Sequence, residues 1–155
     1  MSRGDDLVNW VCRELVFGSP EYAAALALRE EVLRRPLGLM WTAEELGKES
    51  GSRHVGCFCG DELVGALVLT LEDETTVRMR LVAVAEAYQG KGAGATLVAF
   101  AEEVARAAGF RRMVARARVS AVPFYRRLGY DVEAEVFLQV GVPHQVVWKQ
   151  LRQQS

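Results

Sequence analysis

The run Tyr88-Gln89-Gly90-Lys91-Gly92-Ala93-Gly94-Ala95-Thr96-Leu97 decides how this chain is read, because it joins a β-rich segment to an Ala/Leu/Val-patterned helix through nearly side-chain-free backbone. Its closely spaced glycines let peptide N–H groups turn inward and approach a bulky anion, and the unpaired N–H groups and dipole of the new helix favour negative charge there. A pyrophosphate cradle is expected over Gln89 to Ala95.

Upstream of the run, Thr75 to Val84 reads as a strand. Before it, Arg53 to Cys59 and Leu63 to Leu71 flank Gly60-Asp61-Glu62 in the manner of a β-hairpin. Trp10 to Phe17 alternates as a strand, and Ser19-Pro20-Glu21 supplies a cap, a proline at the first helical position and an early acid for a helix to about Arg34. Thr42-Ala43-Glu44-Glu45 is a capping-box pattern for a second, short helix. Downstream, Leu97, Phe100, Ala101, Val104 and Ala108 recur at helical spacing, and Gly109 supplies a left-handed stop. A strand from Arg111 to Ala117, a short helix from about Ala121 to Leu128 and two closing strands, Tyr130 to Gln139 and Gln145 to Leu151, follow. Few helices among many strands predict an α+β (mixed α/β) domain with a largely antiparallel sheet flanked by helices.

With 155 residues and 50% hydrophobic composition, the chain suits one compact domain over residues 1–155. Apolar runs such as Leu63 to Leu71 are too short to span a bilayer, and the first six residues lack the regions of a signal peptide, so a cytoplasmic protein without a membrane partner is expected. A net charge of −1 argues against a general nucleic-acid binder. The distribution is more informative: residues 1–77 hold seven Lys/Arg against fourteen Asp/Glu, and residues 78–127 hold ten against three. The glycine run therefore sits in a basic half that favours a polyanion, and the acidic half favours a cationic ligand. Three cysteines without a second ligand cluster read as reduced thiols, with no metal.

Gly90-Lys91-Gly92-Ala93-Gly94-Ala95 also fits the dinucleotide pattern G-x-G-x-x-G/A. Context argues against that match, since hairpin strands precede the run and Arg111 to Arg118 offers no acid for a ribose. The combination of Leu81-Val82-Ala83-Val84, Gln89-x-x-Gly92-x-Gly94 and Pro123-Phe124-Tyr125-Arg126-Arg127-Leu128-Gly129-Tyr130 instead resembles the GNAT superfamily of acetyl-CoA-dependent N-acetyltransferases. Ala27-Leu28-Arg29-x-x-Val32-Leu33 and Gly141-Val142-Pro143-His144 more loosely resemble a subgroup typified by ElaA-type bacterial proteins. The resemblance implies a bulged strand splayed from its neighbour to form the cofactor groove, with Leu81, Val82, Ala83 and Val84 facing pantetheine of acetyl-CoA, and Gln89, Gly90, Lys91, Gly92, Ala93, Gly94 and Ala95 facing pyrophosphate. Where such proteins often carry Asn seven residues before the tyrosine, this chain has Arg118, which could approach a phosphate or cofactor amide.

Acyl transfer from a thioester to an amine needs a neutral amine, a stabilised oxyanion and a proton for the departing thiolate. Tyr125 is the leading acid. A strand bulge at Val82 to Val84 would free a peptide N–H for the oxyanion. Glu31, Glu86, His54 and His144 are candidates for the base, with His144 and Glu31 ranked first because both could border the amine side of the cleft. Met40 and Trp41 are candidate acceptor-pocket residues, and Trp148 and Tyr130 read as core. The expected activity is acetyl transfer from acetyl-CoA to a primary amine of a small molecule or peptide, directly within a ternary complex. The alternative is a non-catalytic acyl-CoA-binding or sensor protein of the same fold. Family habit favours a homodimer.

Overall fold

A computed structural model describes residues 9–38 and 47–152. The chain's contacts gather into two units, Met1–Thr70 with Leu81–Ala101, and Leu71–Arg80 with Glu102–Ser155.

In the first unit, β2 (Arg53–Cys59) pairs antiparallel with both β1 (Trp10–Leu15) and β3 (Glu62–Leu71). The β2–β3 turn is shorter than the sequence suggests: Glu62 is already in β3, and Gly60 takes a φ of 61° that suits a residue without Cβ. α1 (Pro20–Arg29) opens as predicted, with the amide of Tyr22 donating to Ser19 Oγ at 3.1 Å and Pro20 in the first turn. The predicted helix to Arg34 is not uniform. It turns π-helical over Glu30–Arg34 and tightens to a 3-10 turn over Arg35–Leu37, ahead of Gly38 at φ 72°. Leu15, Ala25, Leu28, Phe58 and Ala66 form a core cluster against which Val32, Leu63 and Ala85 pack. A 3-10 turn, Lys48–Gly51, brings Glu49 into the interior. The Thr42–Glu45 capping box and the Met40-Trp41 pair lie outside the described residues.

Arg29, placed by helical spacing on the apolar face of α1, is a buried cation of the first unit. It is 1% exposed and its Nη2 donates to both Glu49 oxygens at 2.8 and 2.9 Å. Tyr22 OH also donates to Glu49 at 2.7 Å, and His54 Nε2 donates to the Glu49 carbonyl at 2.8 Å. Paired and hydrogen-bonded in this way, a buried charge avoids most of the penalty of leaving water.

β4 (Thr76–Val84) contributes Thr76–Arg80 to the second unit and Leu81–Val84 to the first. In the second unit, β4 runs parallel to β5 (Arg112–Arg118) from Thr76↔Arg112 to Met79↔Ala115. Within the second unit this parallel register ends at Met79↔Ala115. β8 (Val142–Gln150) pairs antiparallel along the whole of β5. α2 (Ala93–Ala107) passes from the first unit into the second and is closed by Gly109 at φ 94°. α3 (Val122–Arg127) is followed by Gly129 at φ 92°. Val77, Met79, Ala105, Met113, Ala115, Val122, Tyr125, Tyr130 and Val147 are buried.

The expected strand from Tyr130 to Gln139 is two short ones, β6 (Asp131–Val132) and β7 (Phe137–Gln139), both paired with β8. The register explains the break. Val132 faces Val147 and Phe137 faces His144, so the intervening segment is two residues longer than the stretch of β8 it passes and must leave the ladder. β8 also begins earlier than expected, which puts His144 inside a strand. The β7–β8 turn uses Val140 at φ 47° and Gly141 at φ 76°, a type I′ conformation in which a β-branched residue is strained. Val140→Asn should therefore raise stability by about 1 kcal/mol, read as a higher denaturation midpoint with an unchanged slope; a lower midpoint would contradict the assigned turn.

Candidate active site

The glycine run turns the chain tightly into the start of a helix. Gly90 and Gly92 have φ of 77° and 98°, which reverses the chain between the 3-10 turn Glu86–Tyr88 and α2. The helix closes its first bond when the amide of Thr96 donates to the Gly92 carbonyl at 3.1 Å, and Thr96 Oγ1 caps the same oxygen at 2.9 Å. The amides of Ala93, Gly94 and Ala95 precede that bond, so no carbonyl one turn back serves them. They point along the axis at the positive end of the helix dipole.

The loop is anchored from the strands beside it. Gln89 Nε2 donates to the Val84 carbonyl at 2.8 Å, tying the loop to the end of β4, and the amide of Ala85 donates to the Val64 carbonyl at 2.8 Å. Trp10 meets Tyr88 edge-on at 5.9 Å between centroids, and a Cβ at Gly92 would lie 3.6 Å from Trp10 Nε1. Trp10 and Tyr88 were invisible as supports in the sequence, because β1 reaches the loop only through tertiary pairing. Lys91 is exposed at the loop's tip. The irregularity in β4 falls at Leu81, whose φ is 57°, one residue before the expected bulge at Val82 to Val84. A leucine held there costs on the order of 1–3 kcal/mol and persists only where surrounding structure enforces it. Within the same stretch Ala83 is buried, and Val82 and Val84 are half-buried.

The second unit holds Tyr125, His144 and Arg118. Of the chain's four tyrosines, three donate their hydroxyl to a carboxylate: Tyr22 to Glu49, Tyr88 to Glu62 and Tyr130 to Glu102. Tyr125 is 5% exposed, and its ring packs edge-on against Phe124 and Tyr130 at 5.1 and 5.5 Å. Its hydroxyl donates to no described residue. Burial pushes its pKa up to about 12, so the group stays a phenol at any physiological pH. Tyr130 is core, as expected, and anchors a buried network in which Lys149 Nζ lies 3.1 Å from Glu102 Oε1 and 2.9 Å from the Leu128 carbonyl.

His144 is buried, opposite Arg118 in the β5–β8 register. Its Nδ1 lies 2.7 Å from the Val142 carbonyl. A carbonyl only accepts, so Nδ1 carries the hydrogen and Nε2 keeps the lone pair in the neutral ring. Glu31, in the first unit, is 63% exposed on the π turn with Arg35 at 3.8 Å. Glu86 is exposed, and His54 is committed to Glu49. All three cysteines are free thiols, with Cys57 buried.

Comparison with known proteins draws these features together. A family model described as the acetyltransferase (GNAT) family matches residues 6–130. This chain belongs to that family. The acetyltransferase is 29% identical over 121 residues to the uncharacterized N-acetyltransferase YjcF of Bacillus subtilis, across 77% of this chain and 86% of the relative. The solved structure of a candidate N-acetyltransferase from Lactobacillus plantarum superposes with a TM-score of 0.82 at 27% identity, covering 92% of this chain and 99% of that one. An aminoglycoside 6'-N-acetyltransferase complexed with coenzyme A shares the fold at a TM-score of 0.78 and 16% identity, covering 94% and 99%. Escherichia coli ElaA shares it at 0.73 and 22%, covering 92% and 99%. The acetyltransferase has, among its described residues, no helix long and apolar enough to cross a membrane.

Proposed function

We propose that this acetyltransferase, acting as a single catalytic domain over residues 1–155, moves an acetyl group from acetyl-CoA to a primary amine by direct transfer in a ternary complex. The observation that carries the reading is Tyr125, a buried phenol whose hydroxyl is engaged by no described residue while every other tyrosine has a carboxylate partner. A neighbour of the same fold is described with coenzyme A bound, which supports acetyl-CoA as cosubstrate. The amides of Ala93, Gly94 and Ala95, with Gln89, Gly90, Lys91 and Gly92 shaping the approach, hold the diphosphate. The backbone of Leu81, Val82, Ala83 and Val84 lies along pantetheine, and Arg118 adds positive charge toward a phosphate.

The proton balance follows from two groups. Addition of the amine to the thioester carbonyl gives a tetrahedral oxyanion, and its collapse breaks the C–S bond as Tyr125 donates to sulfur. With a thiol near pKa about 8.5, full transfer from this phenol is roughly 5 kcal/mol uphill, so Tyr125 keeps its proton and hydrogen-bonds the sulfur while charge develops, and the one proton the amine loses balances the one the departing thiolate takes up. His144 Nε2 is the better base, because it is the basic nitrogen of a buried ring with a fixed tautomer. The Glu31 carboxylate is solvated and sits by Arg35, so it ranks second. The acidic composition of residues 1–77 favours a cationic acceptor. Thiol release from acetyl-CoA, measured across a panel of primary amines, tests this: release should require the amine and be matched by acetylated amine in the mass spectrum. Coenzyme binding without amine-dependent release would instead identify a non-catalytic acyl-CoA-binding or sensor protein.

A further inference from the structure

The second unit carries a cavity of about 270 Å³ on residues that acetyl transfer does not use. Its wall is arginine-rich for a reason written in the register. Thr76 faces Arg112 and Arg78 faces Val114, and strand alternation then puts Arg78, Arg112 and Arg116 on one side of the sheet. The opposite side holds the buried Val77, Met79, Met113, Ala115 and Ala117.

None of these three guanidinium groups forms an ion pair with a described residue. Nε of Arg78 and Nε of Arg112 are buried and bonded to no described residue. Arg112 is held over the Trp148 ring at 4.5 Å, which fixes the plane of its fork. Burial, with Arg116 and Arg80 nearby, lowers the proton affinity of Arg78, the mark of positive charge without enough negative charge against it. Glu72, Asp73 and Glu133 also line the cavity, and Glu72 partly offsets the charge on Arg78, yet none of the three carboxylates forms a close ion pair with these arginines. Asp73 Oδ1 is taken by the amides of Thr75 and Thr76, each at 2.9 Å, and Glu72 and Glu133 are exposed. Arg106 Nε is likewise without a bond to a described residue, but its fork is ion-paired with Glu102 and Glu103, whereas the forks of Arg78 and Arg112 meet no described carboxylate, and a buried N–H left in that setting favours an acceptor from outside.

We propose that this cavity is an anion site that takes a small carboxylate- or phosphate-bearing molecule, gripped by Arg78, Arg112 and Arg116. The volume equals that of about nine waters, which suits a metabolite-sized ligand rather than a peptide or nucleic-acid strand. The site is independent of the acetyl-transfer reading, since none of its three arginines has a part in that chemistry.

Calorimetric titration of the full chain with inorganic phosphate and, separately, with citrate tests it. Saturable binding of at least one anion is expected, and the arm that binds identifies the ligand chemistry. Arg116→Gln, at an exposed position that the fold tolerates, should weaken that binding about tenfold or more, as should Arg78→Gln. Ala95→Glu, which changes the coenzyme cradle, should leave it unchanged. The proposal is overturned if neither anion binds saturably, or if binding survives Arg116→Gln and disappears in Ala95→Glu, because phosphate would then be reporting the α2 amides. Tighter binding of a single-stranded oligonucleotide, abolished by Arg116→Gln, would overturn it in favour of a macromolecular polyanion.

Discussion

Tyr125→Phe should lower kcat with acetyl-CoA and a competent amine by about 10²–10³-fold, within the range that general acids contribute, while the Kd for acetyl-CoA stays within about twofold. The substitution removes one oxygen that bonds to no described residue and leaves the packing against Phe124 and Tyr130 in place. Stability should change little for the same reason. The pH profile supplies an independent check. Tyr125 must be protonated to donate, and its pKa is raised to about 12, so the donating form is complete below that value and is lost only as pH rises through it. The wild-type rate should therefore climb as the amine becomes neutral and show no falling limb below about pH 10, where an ordinary tyrosine would be half ionised. Equal losses in turnover and affinity, or no loss, would remove Tyr125 from the chemistry.

The second large effect is on coenzyme affinity. Ala95→Glu places a carboxylate in the first turn of α2, where an acid ordinarily stabilises a helix by roughly 0.3–1 kcal/mol, so the fold should be preserved or strengthened. The same carboxylate competes for the free amides and repels a diphosphate at close range. The Kd for acetyl-CoA should rise about 100-fold, equivalent to roughly 2.7 kcal/mol, with a melting temperature no lower than that of the wild type. Ala95→Gln, similar in size and uncharged, separates charge from bulk: it should stay within about tenfold of wild type. Glu and Gln variants of equal affinity would mean that the loop does not meet the coenzyme's charge.

What could be read before folding was local. Ser19 and Pro20 announce α1 because capping is settled within four residues, and Gly90, Gly92 and Gly109 announce turns because only glycine takes those backbone angles without strain. The register of β6 and β7 against β8 was not legible, since Tyr130 to Gln139 alternates plausibly by itself and only pairing with β8 exposes the two surplus residues. Arg29 and Glu49 were missed as a pair because their attraction spans 20 residues through a segment whose path the sequence does not reveal. The site divides along the same line. The glycine turn ahead of α2 is a short-range pattern and was legible directly. That Tyr125 alone among the tyrosines lacks a partner in the described residues depends on where Glu49, Glu62 and Glu102 end up, and no spacing encodes that. The strain at Leu81 and the arginine-walled cavity are likewise products of strand register.

A titration of acetyl-CoA into isotope-labelled protein, followed by amide resonances, tests most directly whether main-chain donors at the start of α2 hold the coenzyme. The largest saturating shifts should fall on Gly92, Ala93, Gly94 and Ala95, accompanied by smaller ones along Leu81 to Val84. Saturation that leaves the α2 amides unmoved while resonances elsewhere shift would contradict the cradle and, with it, the acetyl-transfer geometry.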